Sequence, residues 1–237
     1  MIKQRALAHA AAVGLAASLV AGCAATPSKV DPFEPMNRAF YEFHDAVDTA
    51  VIRPVVHGYT AVIPQPIRQM VSNFFNNIED VISAANDLLQ GDWDRLGHDL
   101  GRVTLNTGWG LGGLIDIASD LGIPRGNQDF GLTFGKWGFD QGPYFFIPLF
   151  GPTTVRDGAG WITRLFVGPV GFIPDVPLRN SLYGVGYLDV RTQVEEASRV
   201  VDTAALDRYT FIRNAYLQRR RYLLYDGKPP PEPEEQQ

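Results

Sequence analysis

The chain has 237 residues, a length that fits one domain, a formal net charge of −5 at pH 7 and a single cysteine. The acidic balance gives no electrostatic basis for nucleic-acid binding, because such binding depends on basic residues that neutralise phosphates. One cysteine excludes an internal disulfide, so packing, a membrane or partner proteins must hold the folded part together.

The N-terminus has the pattern of a bacterial lipoprotein signal. Lys3 and Arg5 precede an apolar run over residues 10–21, which is shorter than the ~20 residues that a membrane-spanning helix needs. The run ends in Val20-Ala21-Gly22-Cys23, an aliphatic residue and two small residues before a cysteine. We predict that residues 1–22 are removed and that Cys23 carries diacylglyceryl and N-acyl chains. An ordinary secretory signal with a chance cysteine is the alternative.

The mature chain that would remain after cleavage divides into three segments. Residues 23–30 are expected to form a short lipidated tether, residues 31–226 a helical domain and residues 227–237 a disordered tail rich in proline and glutamate. Residues 1–22 hold two of the 21 basic residues and none of the 26 acidic ones, so the mature chain has a formal charge of −7. Because Ala24 rather than aspartate follows Cys23, we expect sorting to the outer membrane.

Apolar residues at helical spacing predict four helices in the first half of the domain, at about residues 36–49, 55–62, 66–90 and 93–107. Arg53-Pro54 is expected to break the chain between the first two helices. The third helix is the most amphipathic, and we interpret its apolar face as core packing. The apolar face comprises Ile67, Met70, Val71, Phe74, Ile78, Val81, Ile82, Ala85, Leu88 and Leu89, and the polar face Arg68, Ser72, Asn76, Glu79, Ser83 and Asn86.

The middle of the chain has an unusual composition. Residues 107–151 combine eleven glycines with nine aromatic residues and only six charges. Glycine is costly inside helices, so this composition predicts loops and turns with much aromatic surface to bury. Two interpretations are open, namely packed loops of a soluble core and a segment that contacts lipid. The second is open because aromatic residues favour the bilayer interface.

The last third is predicted to be helical again. A short helix opens at Arg156-Asp157, and a proline-rich link with Pro169, Pro174 and Pro177 follows it. Residues 189–226 are expected to form two helical pieces with a break near Asp202-Thr203.

Motifs of enzymes are nearly absent, and we predict that the protein is not an enzyme and binds no metal or cofactor. His44, His57 and His98 lack metal-ligand spacing. Residues 108–113 match Gly-x-Gly-x-x-Gly literally, but no strand precedes them and no βαβ pattern surrounds them. A hydrolase without a recognisable motif is the alternative.

The order of several short runs resembles the MlaA family of outer-membrane lipoproteins, also called VacJ. The resemblance spans residues 31–221, and the ordered combination is far more specific than any one run. The runs include Asp31-Pro-Phe-Glu-Pro-Met-Asn-Arg38, Asn73-Phe-Phe-Asn-Asn-Ile78, Asn86-Asp-Leu-Leu-Gln-Gly91, Asn106-Thr-Gly-Trp-Gly-Leu-Gly-Gly-Leu-Ile-Asp116 and Asp129-Phe-Gly-Leu-Thr-Phe-Gly-Lys-Trp-Gly138.

The resemblance implies an all-α fold of amphipathic helices arranged as a membrane-embedded ring, with a central amphipathic channel and a hairpin segment rich in glycine and aromatic residues. It implies that the protein removes phospholipids mislocalised to the outer leaflet of the outer membrane. The cargo would pass to a soluble periplasmic carrier, MlaC, and the ring would sit in the inner leaflet beside a trimeric porin. A scaffolding lipoprotein that moves no lipid, or a lipid-modifying enzyme, is the alternative.

The resemblance also suggests residues of a lipid path. Gly110, Gly112 and Gly113 would let the hairpin segment bend, while the apolar residues between and after them would contact acyl chains. Asn37 and Phe40 would lie in the first helix and shape the channel, although a purely local packing role for this pair is equally open. The apolar candidates in the hairpin segment are Leu111, Leu114 and Ile115.

Overall fold

The computed structural model describes residues 30–231, apart from the side chain of Ala204, and it is mainly helical. Cys23, the signal sequence and residues 232–237 lie outside the described residues. The α-helices are, in chain order, α1 (Glu34–Val47), α2 (Arg53–Val62), α3 (Gln65–Gln90), α4 (Trp93–Gly108), α5 (Ile117–Asp120), α6 (Phe130–Lys136), α7 (Val155–Val167), α8 (Val176–Ala204) and α9 (Arg208–Leu224).

Shorter elements complete the described part of the chain. A π-helical turn, Asp48–Ile52, joins α1 to α2, and a 3-10 turn, Pro169–Phe172, follows α7. Strands β1 (Tyr144–Ile147) and β2 (Gly151–Thr154) form an antiparallel hairpin in which Tyr144 lies opposite Thr154. The predicted helical class is confirmed, and this hairpin is an addition that the sequence periodicity did not predict.

Side-chain caps explain where most of the later helices begin. Six helices start after an aspartate or threonine whose side-chain oxygen accepts a hydrogen bond from a backbone N–H in the first turn. Gly91, with φ of 72°, ends α3 in the left-handed conformation that favours glycine. The predicted boundaries of α3 and α4 therefore agree with the structure to within one residue. The capping residues are Asp92, Asp116, Asp129, Thr154, Asp175 and Asp207.

Two predicted breaks at prolines are wrong. Pro54 lies in the first turn of α2, and the helical path continues into it through the π-helical turn, where the Arg53 N–H bonds the carbonyl of Asp48. Pro177 lies in the first turn of α8, which begins at Val176 rather than near residue 189. Proline is tolerated in a first turn because its missing N–H has no partner there in any case.

The interpretation of the apolar face of α3 as core packing is also wrong. The buried side of α3 carries Asn77, Asp80, Ser83, Asn86 and Asp87, together with Ile82 and Ala84. Apolar residues of the other face are exposed instead, namely Ile67, Val81, Leu88 and Leu89. The polar side turns inward because α4 packs against it with complementary polar groups.

This inversion extends to the whole described part of the chain, in which nineteen polar or charged residues are buried against nine hydrophobic ones. Charged side chains are almost never fully buried in soluble proteins unless they are paired. Among residues 30–231, the cluster of buried hydrophobic residues is Tyr144, Phe146 and Tyr209, and large apolar side chains are exposed on nearly every helix. The described interior is therefore rich in polar groups, while many large apolar side chains lie on the surface.

None of the helices between residues 30 and 231 is both long and apolar enough to cross a membrane.

Candidate functional site

The glycine-rich segment after α4 reverses the chain through three successive residues in the left-handed region. Leu111, Gly112 and Gly113 have φ of 54°, 73° and 94°. Backbone hydrogen bonds join the two arms of the turn. Gly113 N donates to the Asn106 carbonyl at 2.8 Å, and Ile115 N donates to the Gly110 carbonyl at 2.9 Å. We call residues 106–116 the glycine hairpin.

Glycine is favoured at different positions of this hairpin for different physical reasons. A Cβ on Gly110 would lie 2.2 Å from the Ile115 carbonyl oxygen, and one on Gly113 would lie 2.8 Å from the Asn77 Cβ. A Cβ on Gly112 would meet nothing within 4 Å, so only its positive φ favours glycine there. Close packing therefore requires Gly110 and Gly113, whereas backbone conformation alone favours Gly112.

Polar side chains of α3 and α4 clamp the glycine hairpin. Asn73 Nδ2 donates to the Leu114 carbonyl at 3.0 Å, and Asn77 Nδ2 to Thr107 Oγ1 at 3.0 Å. Asn106 closes the base of the hairpin, because its Nδ2 donates to Asp116 Oδ1 at 3.0 Å while its Oδ1 accepts from Ala118 N at 2.9 Å. Side-chain amides of α3 and of the base of the hairpin therefore hold its polar side.

Arg102 of α4 is the charged centre of this clamp and is fully buried. Its guanidinium donates to Asp80 Oδ2 at 2.9 Å and to both carboxylate oxygens of Asp116 at 3.1 Å. Burial raises the pKa of Asp80 despite Arg102. Burial would also raise the pKa of Asp116, but hydrogen bonds from Ser119, Asn106 and Arg102 hold it below its usual range.

The outer edge of the glycine hairpin is apolar. Trp109 and Leu111 are 70% and 67% exposed, Ile115 is exposed and Leu114 is half-buried. A polar clamp on one side and apolar side chains on the other make the hairpin a rigid, amphipathic edge. The predicted candidates from Gly110 to Ile115 therefore lie together in one structural unit.

The other two predicted candidates lie on α1. Asn37 is fully buried, and its amide donates to Asp31 Oδ1 at 2.8 Å and to the Tyr144 carbonyl at 3.1 Å. Its Oδ1 accepts from Phe146 N at 3.0 Å, so Asn37 joins α1 to β1. Phe40 is 39% exposed on the same helix.

Sequence reasoning did not find the buried ion pairs that hold the helices together. Arg191 of α8 donates from Nε and Nη2 to the two carboxylate oxygens of Asp48, both at 2.8 Å, and Arg220 of α9 pairs with Asp129 and Asp157. On α3, polar residues at helical spacing form a continuous inward face. That pattern was the sign in the sequence that polar groups are buried between the helices. Among the described residues, no group of three His, Cys, Asp or Glu side chains could hold a metal ion.

Three comparisons with known proteins give a consistent result. The profile of the family described as MlaA lipoprotein matches residues 29–223. A similar curated relative is the intermembrane phospholipid transport system lipoprotein MlaA of Escherichia coli K12, which is 31% identical over 231 residues, covering 93% of this chain and 90% of the relative. The MlaA lipoprotein of Haemophilus influenzae is 29% identical, covering 90% of this chain and 89% of the relative.

A solved structure is also similar. It concerns the structural basis for maintenance of bacterial outer membrane lipid asymmetry, and it superposes with a TM-score of 0.72 at 30% sequence identity. The alignment covers 82% of this chain and 98% of that chain, so the fold is shared nearly end to end.

Proposed function

The chain belongs to the MlaA lipoprotein family, and from this membership we propose that it acts in intermembrane phospholipid transport. In that role it maintains the lipid asymmetry of the outer membrane of a Gram-negative bacterium. Its cargo is phospholipid, and its relatives are transport-system lipoproteins rather than known enzymes.

The observation that carries the proposal is the inverted polarity of the domain. Exposed apolar side chains favour a hydrocarbon surround, since burying apolar surface contributes roughly 25 cal/mol per Å². Buried polar groups such as Asn77, Asp80 and Arg102 are hydrogen-bonded to other protein groups, so they need no water around the domain. A body with this arrangement can lie in one leaflet with its apolar side chains among acyl chains.

The finer steps follow from the same arrangement. We infer that the helices enclose a central amphipathic channel, and that the domain lies in the inner leaflet with its lipid anchor on Cys23. Phospholipids from the outer leaflet would leave on the periplasmic side to the soluble carrier MlaC, with a trimeric porin beside the ring. The apolar outer edge of the glycine hairpin supports a place for this segment among acyl chains.

The glycine hairpin gives the sharpest test of the proposal. Gly113→Val adds a branched side chain where Asn77 already lies and where φ is 94°, so the hairpin must leave its clamp. Gly97→Val in α4 is the matched control, because a Cβ there meets nothing within 4 Å and the glycine is helical. We expect Gly113→Val to raise surface-exposed phospholipid in cells at normal protein levels, and Gly97→Val to leave it unchanged.

Purified protein separates the proposal from its rivals. The full-length lipoprotein is given labelled phospholipid and the soluble carrier, and the carrier-bound lipid is then analysed. Transfer of unaltered lipid supports transport, chemically changed lipid would indicate an enzyme, and the absence of both would indicate a scaffold. Equal transfer by Gly113→Val and Gly97→Val would contradict the role of the hairpin.

A further inference from the structure

A second polar feature lies away from the glycine hairpin, in a cleft between the β-hairpin, α7 and α9. The cleft has a volume of about 230 Å³. Drug-sized ligands fill sites of about 300–1,000 Å³, so this cleft suits a smaller group such as a lipid headgroup. Its polar wall and its apolar mouth come from different residues.

The polar wall is a buried network around Arg220. Arg220 Nη2 donates to Asp129 Oδ1 at 3.0 Å and to Asp157 Oδ1 at 2.8 Å, and Tyr216 OH donates to Asp157 Oδ2 at 2.7 Å. Arg220 Nε is buried and has no hydrogen-bond partner among the described residues. Burial would raise the pKa of Asp157, but Arg220 holds it below its usual range, so Asp157 is ionised.

The charges of this wall cancel locally. Two carboxylates, Asp129 and Asp157, face two guanidiniums, Arg220 and Arg156, and Arg156 Nε lies 3.1 Å from Asp157 Oδ1. The Asp129 side chain is 43% exposed, so a ligand can reach it. Arg164, which pairs with Glu79 and is 41% exposed, lines the same cleft and offers a positive group. The charged side chains that line the cleft are therefore two carboxylates and two guanidiniums, of which Asp129 and Arg164 are accessible.

The mouth of the cleft is aromatic and opens beside an apolar strip. The rings of Phe150 and Trp161 lie 4.9 Å apart between centroids and are tilted by 54°. Both residues are exposed. Along α7, the neighbouring Ile162, Leu165 and Phe166 are exposed as well.

We propose that this cleft binds the headgroup of a zwitterionic, ammonium-bearing phospholipid. The ammonium lies against Asp129 and the faces of Phe150 and Trp161, where cation–π attraction adds to the carboxylate. The phosphate lies near Arg164, and the acyl chains follow the apolar strip of α7. Because the wall is neutral, an anionic lipid without an ammonium gains less there. This inference rests on the proposed function for its source of lipid.

The experiment uses the full-length lipoprotein in detergent with its four tryptophans replaced biosynthetically by 5-fluorotryptophan. Dihexanoylphosphatidylethanolamine and dihexanoylphosphatidylglycerol are titrated separately below their micelle concentrations while 19F spectra are recorded. The Trp161 resonance, assigned from Trp161→Leu, should shift at a concentration about threefold to tenfold lower with the ethanolamine lipid than with the glycerol lipid. Trp93, exposed at the start of α4, is the internal control and should not move.

Two variants test the charges. Asp129→Asn removes the negative charge and keeps a side-chain oxygen that can cap α6, so we expect it to fold and to lose the preference between the two lipids. Arg164→Gln should weaken binding of both lipids, and it provides a second test if Asp129→Asn does not fold. A Trp161 resonance that shifts equally with both lipids, or identically in wild type and both variants, would overturn the site.

The same preparation keeps this inference separate from the proposed function. Transfer of lipid to the carrier by the wild type, with no shift of Trp161, overturns the headgroup site and leaves transport intact. A Trp161 shift without any lipid transfer supports the site and contradicts the proposed function.

Discussion

Buried charged side chains are the most consequential residues of this domain, and most of them are paired. Arg102, Arg191 and Arg220 each donate to at least one buried carboxylate within hydrogen-bonding distance. Removing one member of such a pair costs about 3–5 kcal/mol, because the other charge is then left uncompensated. Pairing is therefore what makes a polar interior stable.

Asp87 and Asp99 are less completely paired, because two carboxyl groups share one buried location between α3 and α4. Both are buried, and neither oxygen of Asp87 has a hydrogen-bond donor among the described residues, although Arg95 Nε lies 3.3 Å from Oδ1. Burial and the neighbouring Asp99 raise the pKa of Asp87 to about 7. Like charges at short range favour keeping one proton.

This raised pKa predicts a pH dependence of stability. A carboxyl group with a raised pKa in the folded state stabilises fully below the pKa of the unfolded chain, near 4, and the contribution is lost as pH rises through about 7. We expect the thermal midpoint in detergent to fall between pH 5 and pH 8 more steeply for the wild type than for Asp87→Asn. Between pH 5 and pH 8, the free energy of unfolding of the wild type should fall by at least ~1 kcal/mol more than that of Asp87→Asn.

Asp120→Asn is the control for that measurement, because Asp120 is exposed at the end of α5. Its pH profile should follow the wild type. Parallel profiles of the wild type and Asp87→Asn would show that Asp87 does not hold a proton in the folded protein.

At the scale of elements, one buried amide connects α1 to the β-hairpin. Asn37 satisfies the Phe146 N–H, the Tyr144 carbonyl and Asp31 at once. The same β-hairpin supplies two of the three residues in the buried hydrophobic cluster. Asn37 therefore holds α1 together with the edge-to-face contact of Tyr41 with Phe146 and the hydrogen bond from Leu149 N to His44 Nδ1.

Asn37→Ala tests whether this residue acts by packing or on the lipid path. The substitution leaves several buried groups without partners, so we expect the free energy of unfolding to fall by ~2–4 kcal/mol. Phe40→Ala on the same helix should cost less, because Phe40 is 39% exposed. Chemical unfolding in detergent measures both. An unchanged stability with lost lipid transfer would instead assign Asn37 to the channel.

At the scale of the whole molecule, the inverted polarity predicts that the folded body itself enters the leaflet. The predicted lipid on Cys23 alone would suit any peripheral protein. Exposed aromatic side chains such as Trp109, Phe166 and Phe172 give the body its own affinity for hydrocarbon and for the bilayer interface. Anchor and body would then act together.

A protein without its lipid tests this directly. We expect Cys23→Ser, exported with a cleavable signal, to sediment with phospholipid vesicles at neutral pH. A second variant that adds Leu111→Lys and Phe166→Lys should bind less, since both residues are exposed and charge is costly in hydrocarbon. Fully soluble behaviour of Cys23→Ser would confine the bilayer contact to the lipid.

The sequence by itself determined the helical class and the boundaries of α3 and α4. Helical spacing, aspartate caps and the glycine that ends α3 are local features, so they act in the same way in any surroundings. The ordered family runs determined the family, and the resemblance implied a hairpin at the segment that holds Gly110, Gly112 and Gly113. These predictions needed no knowledge of distant contacts.

Only the tertiary structure decided which face of each helix lies inside. Periodicity divides α3 into an apolar and a polar face, but it carries no information on whether water or hydrocarbon surrounds the protein. Burial of Asp80 depends on Arg102 from α4, and the ion pair of Asp48 with Arg191 joins residues more than a hundred positions apart. Long-range pairing of charges therefore decided the polarity of the interior, and local sequence could not.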